Sequence, residues 1–243
     1  MNGVVVTKAD ARAFSPCGWP GRDGVTARVL WRDANRALTA LVKYPAPWRR
    51  DVPEYVDVDE ALLALEGCLY INGSAFRDQA YGAFAPGAVR LASQAPEGAL
   101  TLSFFSGPPS AKSGMTPPGM HDPARDVRRS GLYFDGWDAG FDKLAAPLWQ
   151  AASARIKLLR REPNGTETFI IGTLPLWRAA NAERYAHDLE LFVIEGDLGW
   201  DGVDLGAHDH VFIPASSRIG PFRSADGATL LFRSHGPFKA EAL

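Results

Sequence analysis

The chain repeats itself at long range. Trp48-Arg49 recurs as Trp177-Arg178, a separation of 129 positions. Leu65-Glu66-Gly67-Cys68-Leu69 recurs as Ile194-Glu195-Gly196-Asp197-Leu198, and Glu97-Gly98-Ala99-Leu100 as Asp226-Gly227-Ala228-Thr229, at the same separation. Thr26-Ala27-Arg28-Val29-Leu30 finds an echo in Ser153-Ala154-Arg155-Ile156-Lys157. Solenoid units repeat every 20–50 residues or so, so a period this long is a whole domain, duplicated and fused. The question for function is which copy kept the chemistry.

Each half is long enough to bury a core of its own. The repeats place an N-terminal domain at 1–110 and a C-terminal domain at 127–243. Residues 111–126 lie in a stretch rich in proline and glycine (Pro108, Pro109, Pro117, Pro118, Pro123, Gly107, Gly114, Gly119) that reads as an irregular linker. Short β-rich runs dominate both halves. Ala37 to Tyr44 and Thr166 to Leu174 each end at a proline-containing turn. Glu60–Glu66 favours helix by propensity, but its twin Glu190–Glu195 is β-branched and aromatic, which predicts strand for both. Asn72-Gly73 and Asp201-Gly202 are hairpin turn signals. Many short strands between turns predict sandwiches or barrels. Asp142 to Ala154 is the one candidate helix.

With a net charge of −2 there is no electrostatic reason to bind nucleic acid or an anionic membrane. Met1 to Val6 lacks the basic start and long apolar stretch of a secretory signal, and no segment approaches the roughly 18 apolar residues that span a bilayer. Cys17 and Cys68 form neither a disulfide framework nor a zinc cluster. These readings predict a cytoplasmic protein.

The pattern of Leu41-Val42-Lys43-Tyr44-Pro45, Leu65-Glu66-Gly67, Val193-Ile194-Glu195-Gly196-Asp197-Leu198 and Gly220-Pro221-Phe222 resembles that of cupins, small double-stranded β-barrels. More narrowly it is similar to the ChrR-like and acetylacetone-dioxygenase-like group. The resemblance implies an all-β chain of two tandem jelly-roll barrels. It also implies a divalent metal (iron, manganese, nickel or zinc) held inside a barrel by three histidines and a glutamate, with one coordination position open.

Carried onto this chain, that ligand set is altered in both copies. Glu60 and Glu190 stand at the glutamate position. Tyr55 and Tyr185 stand where a histidine belongs, with Glu183 two residues before the latter, and Arg90 and Arg218 replace the last histidine. Arginine cannot ligate a metal. It can neutralise a buried glutamate, so the pairs Glu60–Arg90 and Glu190–Arg218 are expected at the barrel centres, without metal. A metal remains possible only in the second half, from His187, Glu190, His208 and His210, because residues 1–110 contain no histidine.

Three functions follow as expectations. The leading one is a metal-free, small-molecule-processing cupin using acid–base chemistry (isomerisation, cyclisation or elimination). Glu190 would be the base, Tyr185 the proton donor and Arg218 an anion clamp, with Glu183, Phe192, Phe212 and Trp177 lining the substrate site. The alternatives are a metal-dependent dioxygenase in the C-terminal barrel and a non-catalytic ligand-binding or regulatory cupin. A homodimer is expected, since duplicated barrels have edges to cover.

Overall fold

The structure, a computed structural model, describes residues 3–19, 21–35, 37–129, 149 and 152–243. Two compact units emerge, Ala13–Gly136 and Met1–Arg12 with Trp137–Leu243. These bounds differ from the expected 1–110, 111–126 and 127–243 at both ends. The first twelve residues group with the C-terminal half, and the supposed linker belongs to the first unit.

The first unit holds a seven-stranded sheet in the order Val127–Arg129, Tyr81–Phe84, Glu60–Gly67, Ala99–Phe105, Leu38–Tyr44, Thr26–Arg32, Ser15–Pro16. A four-stranded sheet (Trp48–Arg50, Ser93–Ala95, Leu69–Ile71, Ser74–Phe76) accompanies it, with a pair formed by Ala111–Ser113 and Glu54–Val56. In the second unit the large sheet runs Val5–Thr7, His210–Ile213, Leu189–Gly196, Ala228–Ser234, Glu167–Thr173, Arg155–Arg161. Smaller sheets join Arg218–Ile219, Glu183–Tyr185 and Ala240–Ala242, and Leu198–Trp200 with Val203–Leu205.

The duplication is literal. Thr26–Arg32, Leu38–Tyr44, Glu54–Val56, Glu60–Gly67, Leu69–Ile71, Ser74–Phe76, Tyr81–Phe84 and Ala99–Phe105 each recur 129 positions later as a strand of the same length. Even the bulges recur, between Leu100 and Thr101 facing Glu66 and Ala64, and between Val193 and Glu195 facing Leu230 and Thr229. Both expected hairpin turns form, with positive φ at Asn72, Gly73, Asp201 and Gly202. Gly67 and Gly196 are required twice over. Their φ values are +65° and +80°, and a Cβ would sit 2.2 and 1.9 Å from the carbonyl oxygens of Gly98 and Gly227. The TARVL–SARIK echo, by contrast, is two residues out of register, because Thr26 opens the strand that corresponds to Arg155–Arg161.

Residues 107–126 are not an irregular linker. Ala111–Ser113 pairs with Glu54–Val56, Pro123–Arg125 forms a 3-10 turn capped by Asp122, and Asp126 accepts from the Ala85 amide. These bonds give partners to backbone groups that a proline-rich stretch would otherwise leave unpaired. The candidate helix at 142–154 lies almost wholly outside the described residues. Among the described residues no helix is long and apolar enough to cross a membrane.

Each unit's extra edge strand comes from an unexpected place. Val5–Thr7 pairs with His210–Ile213 in the second unit, and Lys8 and the Ala9 amide bind Asp209. Val127–Arg129 pairs with Tyr81–Phe84, the repeat equivalent of His210–Ile213. The segment that precedes the first barrel in sequence thus completes the second, and the one that follows the first barrel completes the first.

Candidate functional site

The first barrel buries a cluster of charged side chains. Side chains alternate along a strand. Leu62 and Ala64 belong to the barrel core, so Glu60 shares their inward face. Arg90 Nη2 donates to Glu60 Oε2 at 2.6 Å, both side chains being buried. Glu54 lies beside them on Glu54–Val56. Its Oε1 accepts from Arg22 Nη2 at 2.7 Å, and its Oε2 lies 2.9 Å from Arg50 Nε, an ion pair without hydrogen-bond alignment. Arg22 Nη1 also donates to the Tyr44 hydroxyl at 3.2 Å. Burial raises the Tyr44 phenol above its ordinary range, Arg22 and Arg90 only partly opposing it. Burial also works against the charge on Arg22, but Tyr44, Glu54 and Glu60 outweigh it and hold the guanidinium charged. Tyr55 stands between two buried neighbours, Glu54 and Val56. It faces the other way, half-buried and outside this cluster.

Arg22 reaches the barrel because of the loop that carries it. Gly18, Gly21 and Gly24 all have φ near +70°, which folds the chain back on itself. A Cβ at Gly21 would fall 1.5 Å from Arg50 Nη1, so glycine there lets the loop close over Arg50. Trp19 stacks under the Arg22 guanidinium at 4.4 Å. From this loop a cavity of about 350 Å³ opens into the barrel, lined by Trp19, Arg22, Val29, Ala40, Val42 and Phe105 among others. A mainly apolar cavity with one buried charge is the usual form of a small-molecule site. Sequence reasoning missed Arg22, and the signal was the glycine spacing Gly18, Gly21, Gly24 around it.

The second barrel is built differently, and the expected site there does not form. Leu189, Leu191 and Val193 point into its core, which puts Glu190 and Phe192 on the opposite face of the strand. The expected Glu190–Arg218 pair is absent, because Arg218 is solvent-exposed. The expected correspondence of Glu60 with Glu190 lies one residue out of step with the repeat. Across 129 positions Glu60 corresponds to Leu189, and Arg90 to Ile219. A slip of one residue in a strand exchanges its faces. Tyr185 donates instead to Glu183 Oε2 at 2.6 Å, and Trp149 Nε1 donates to the same oxygen at 3.0 Å. Glu183 is the true counterpart of Glu54, but no cation among the described residues reaches it, and its Oε1 has no hydrogen-bond partner there. Burial raises the Glu183 carboxyl above the ordinary glutamate range, hydrogen bonds from Tyr185 and Trp149 opposing it in part. Burial likewise lifts the Tyr185 phenol well above its usual value, helped by Glu183. Trp149 stacks on Trp177 at 4.7 Å and packs against Phe222 and Phe232. Trp177 is core, not the wall of a substrate site. The combination of Glu190 as base, Tyr185 as donor and Arg218 as clamp is therefore not assembled.

On the opposite face, Glu190 Oε2 lies 3.0 Å from His210 Nε2, and Oε1 lies 3.0 Å from His235 Nε2. Burial alone would push this carboxyl up. The hydrogen bonds with His210 and His235, and the electrostatic attraction of the two rings, win and hold it well below the carboxylate range. Of the four expected ligands only Glu190 and His210 meet. His187 is exposed, and His208 lies flat against Phe192 at 5.8 Å. Phe212 sits edge-on to His235 on this same outer side.

The donor sets inside the barrels do not fit a cupin metal. The described interior of the first offers two carboxylates already bound by guanidiniums, which repel a cation. The second offers Glu183 among aromatic rings and Glu167, whose oxygens accept from Arg161 and the Phe238 amide. No group of three or more His, Cys, Asp or Glu with metal-holding geometry occurs among the described residues.

No protein-family model and no curated protein matches this sequence. Solved structures do. A provisionally named dioxygenase of Nostoc punctiforme superposes with a TM-score of 0.81 at 15% identity, covering 95% of this chain and 81% of its own. Salicylate 1,2-dioxygenase of Pseudaminobacter salicylatoxidans gives 0.60 at 10%, covering 85% and 75%. The nickel(II) complex of the pirin YhhW of Escherichia coli gives 0.57 at 14%, covering 96% and 99%. Likenesses at this identity establish the fold, two tandem cupin barrels, and leave the chemistry to the site.

Proposed function

We propose that this protein is a cupin that binds a small organic molecule in its first barrel, with Arg22 as the polar anchor. The carrying observation is the cavity of about 350 Å³ that leads to Arg22, a side chain only 4% exposed whose Nε lacks a hydrogen-bond partner. An apolar wall supplies affinity through burial, and a single aimed charge supplies orientation. The kinship to the ChrR-like and acetylacetone-dioxygenase-like group, cytoplasmic residence and homodimerisation belong to the same reading. A fragment screen by thermal shift, repeated on Ala40→Phe, tests it. Stabilising compounds should lose their effect when the introduced ring fills the cavity, and compounds that act equally on both proteins would refute the site.

A second reading, a metal-dependent dioxygenase, is favoured by the names of the Nostoc and Pseudaminobacter structures. Its ligands would be Glu190, His210 and His235, where two imidazoles converge on one carboxylate. Each nitrogen is now committed to a carboxylate oxygen, so a metal would displace both hydrogen bonds. Elemental analysis decides: one iron, nickel, manganese or zinc per chain, lost in His235→Ala, would put this reading first.

A further inference from the structure

The first barrel buries unequal numbers of positive and negative side chains. The charged side chains buried in that unit, among the described residues, are Arg22, Arg50 and Arg90 against Glu54 and Glu60. Each carboxylate is engaged at 2.6–2.9 Å, Glu60 by one guanidinium and Glu54 by two. Three cations against two anions leaves one positive charge without a counter-charge. Tyr44, whose hydroxyl accepts from Arg22, has a phenol pushed up by burial and is neutral at ordinary pH. An unbalanced buried charge is costly, and Arg22, the buried arginine that lines the cavity, has an Nε without a hydrogen-bond partner, as Arg50 does; the cavity's other arginine, Arg32, is exposed.

Resting on the cavity as the binding site, we propose that the ligand is a monoanion with a compact apolar body, its charged group taken by Arg22 and its body held by Trp19, Val29, Val42 and Phe105. A single negative charge brings the barrel to neutrality. A dianion would overshoot, and a neutral molecule would leave the excess in place. The apolar wall selects against small hydrated inorganic ions, which would lose their water there and regain little. The second barrel agrees with this logic in reverse. Its buried cations among the described residues, Lys157 and Arg160, do not reach Glu183, and aromatic rings fill the space around that carboxyl.

The test is calorimetry on the full chain with four probes that share one ring: benzoate, benzenesulfonate, benzamide and benzylamine. Benzoate or benzenesulfonate should bind at least about tenfold more tightly than benzamide, the difference expected of a charge-assisted hydrogen bond, and benzylamine should not bind. Arg22→Lys should keep the anion preference with weaker binding, and Arg22→Gln should erase it. Because Arg22→Gln also strands Glu54, Ala40→Phe serves as the folded control, expected to abolish binding with every charge in place. Equal binding of benzoate and benzamide, lost in Ala40→Phe, would overturn the anion class and leave the cavity as the site. Binding of none of the four overturns both.

Discussion

The two barrels began as one sequence and now solve the same problem in opposite ways. Each buries a glutamate at the same strand position, Glu54 in the first and Glu183 in the second. In the first, Arg22 and Arg50 meet it and the neighbourhood accumulates more charge: Glu60, Arg90, Tyr44. In the second, Ile219 stands where Arg90 was, Leu189 where Glu60 was and Ala179 where Arg50 was. Trp149 takes over the role of Arg22, approaching from the same side of the repeat to donate a hydrogen bond without a charge. One barrel kept a polar centre and a cavity, and the other filled with rings. A fold this tolerant inside leaves function to whichever copy retains unspent polar capacity.

The sharpest way to break that comparison is to treat the two arginines as equivalents. Arg90→Met should strand Glu60 and cost roughly 3–5 kcal/mol in urea unfolding, whereas exposed Arg218→Ala should stay within about 0.5 kcal/mol of the parent. Equal losses would mean that both barrels hold a charged pair. Next in size is Trp149→Phe, which keeps a ring but leaves the Glu183 carboxyl short of a donor. A loss of about 1–3 kcal/mol is expected, and no loss would show that Trp149 only fills space.

The pH response separates the barrels further. Glu183 has its folded value raised above the ordinary glutamate value of 4.5. The stability tied to its neutral form is therefore complete below that value and lost as pH rises through the raised one. Glu183→Gln should flatten this fall in melting temperature. Unchanged pH curves would show that Glu183 folds as a carboxylate. The smallest global effect belongs to the strand at the start of the chain. Deleting residues 3–12 should speed hydrogen exchange along His210–Ile213 and leave Tyr81–Phe84 untouched. Faster exchange in both strands would deny that the arm serves one barrel alone.

Most of the architecture was legible in the sequence. The repeat of 129 positions, its glycines and its two Asx-Gly turns locate the main strands to within a residue or two, because turn chemistry and positive φ demand particular side chains. The site was not legible, for three physical reasons. Strand faces alternate every residue, so pairing Glu60 with Glu190 across the repeats, a single step out, mistook an outward carboxylate for an inward one. Arg22 enters the barrel from a loop whose path depends on three glycine dihedrals. And His235, far along the chain from His210, meets Glu190 only because Leu189–Gly196 lies between His210–Ile213 and Ala228–Ser234 in the sheet.

The strand exchange at the chain's start has a consequence in time. Lys8 and Asp209, which close that contact, are 201 positions apart. At a synthesis rate of about 5–20 residues per second, Val5–Thr7 leaves the ribosome roughly 10–40 s before its partner strand exists. From the point at which Arg129 has been made, the first barrel has every strand of its own, while a short apolar strand precedes it unsatisfied. The nascent chain thus carries an open edge until His210–Ile213 is made.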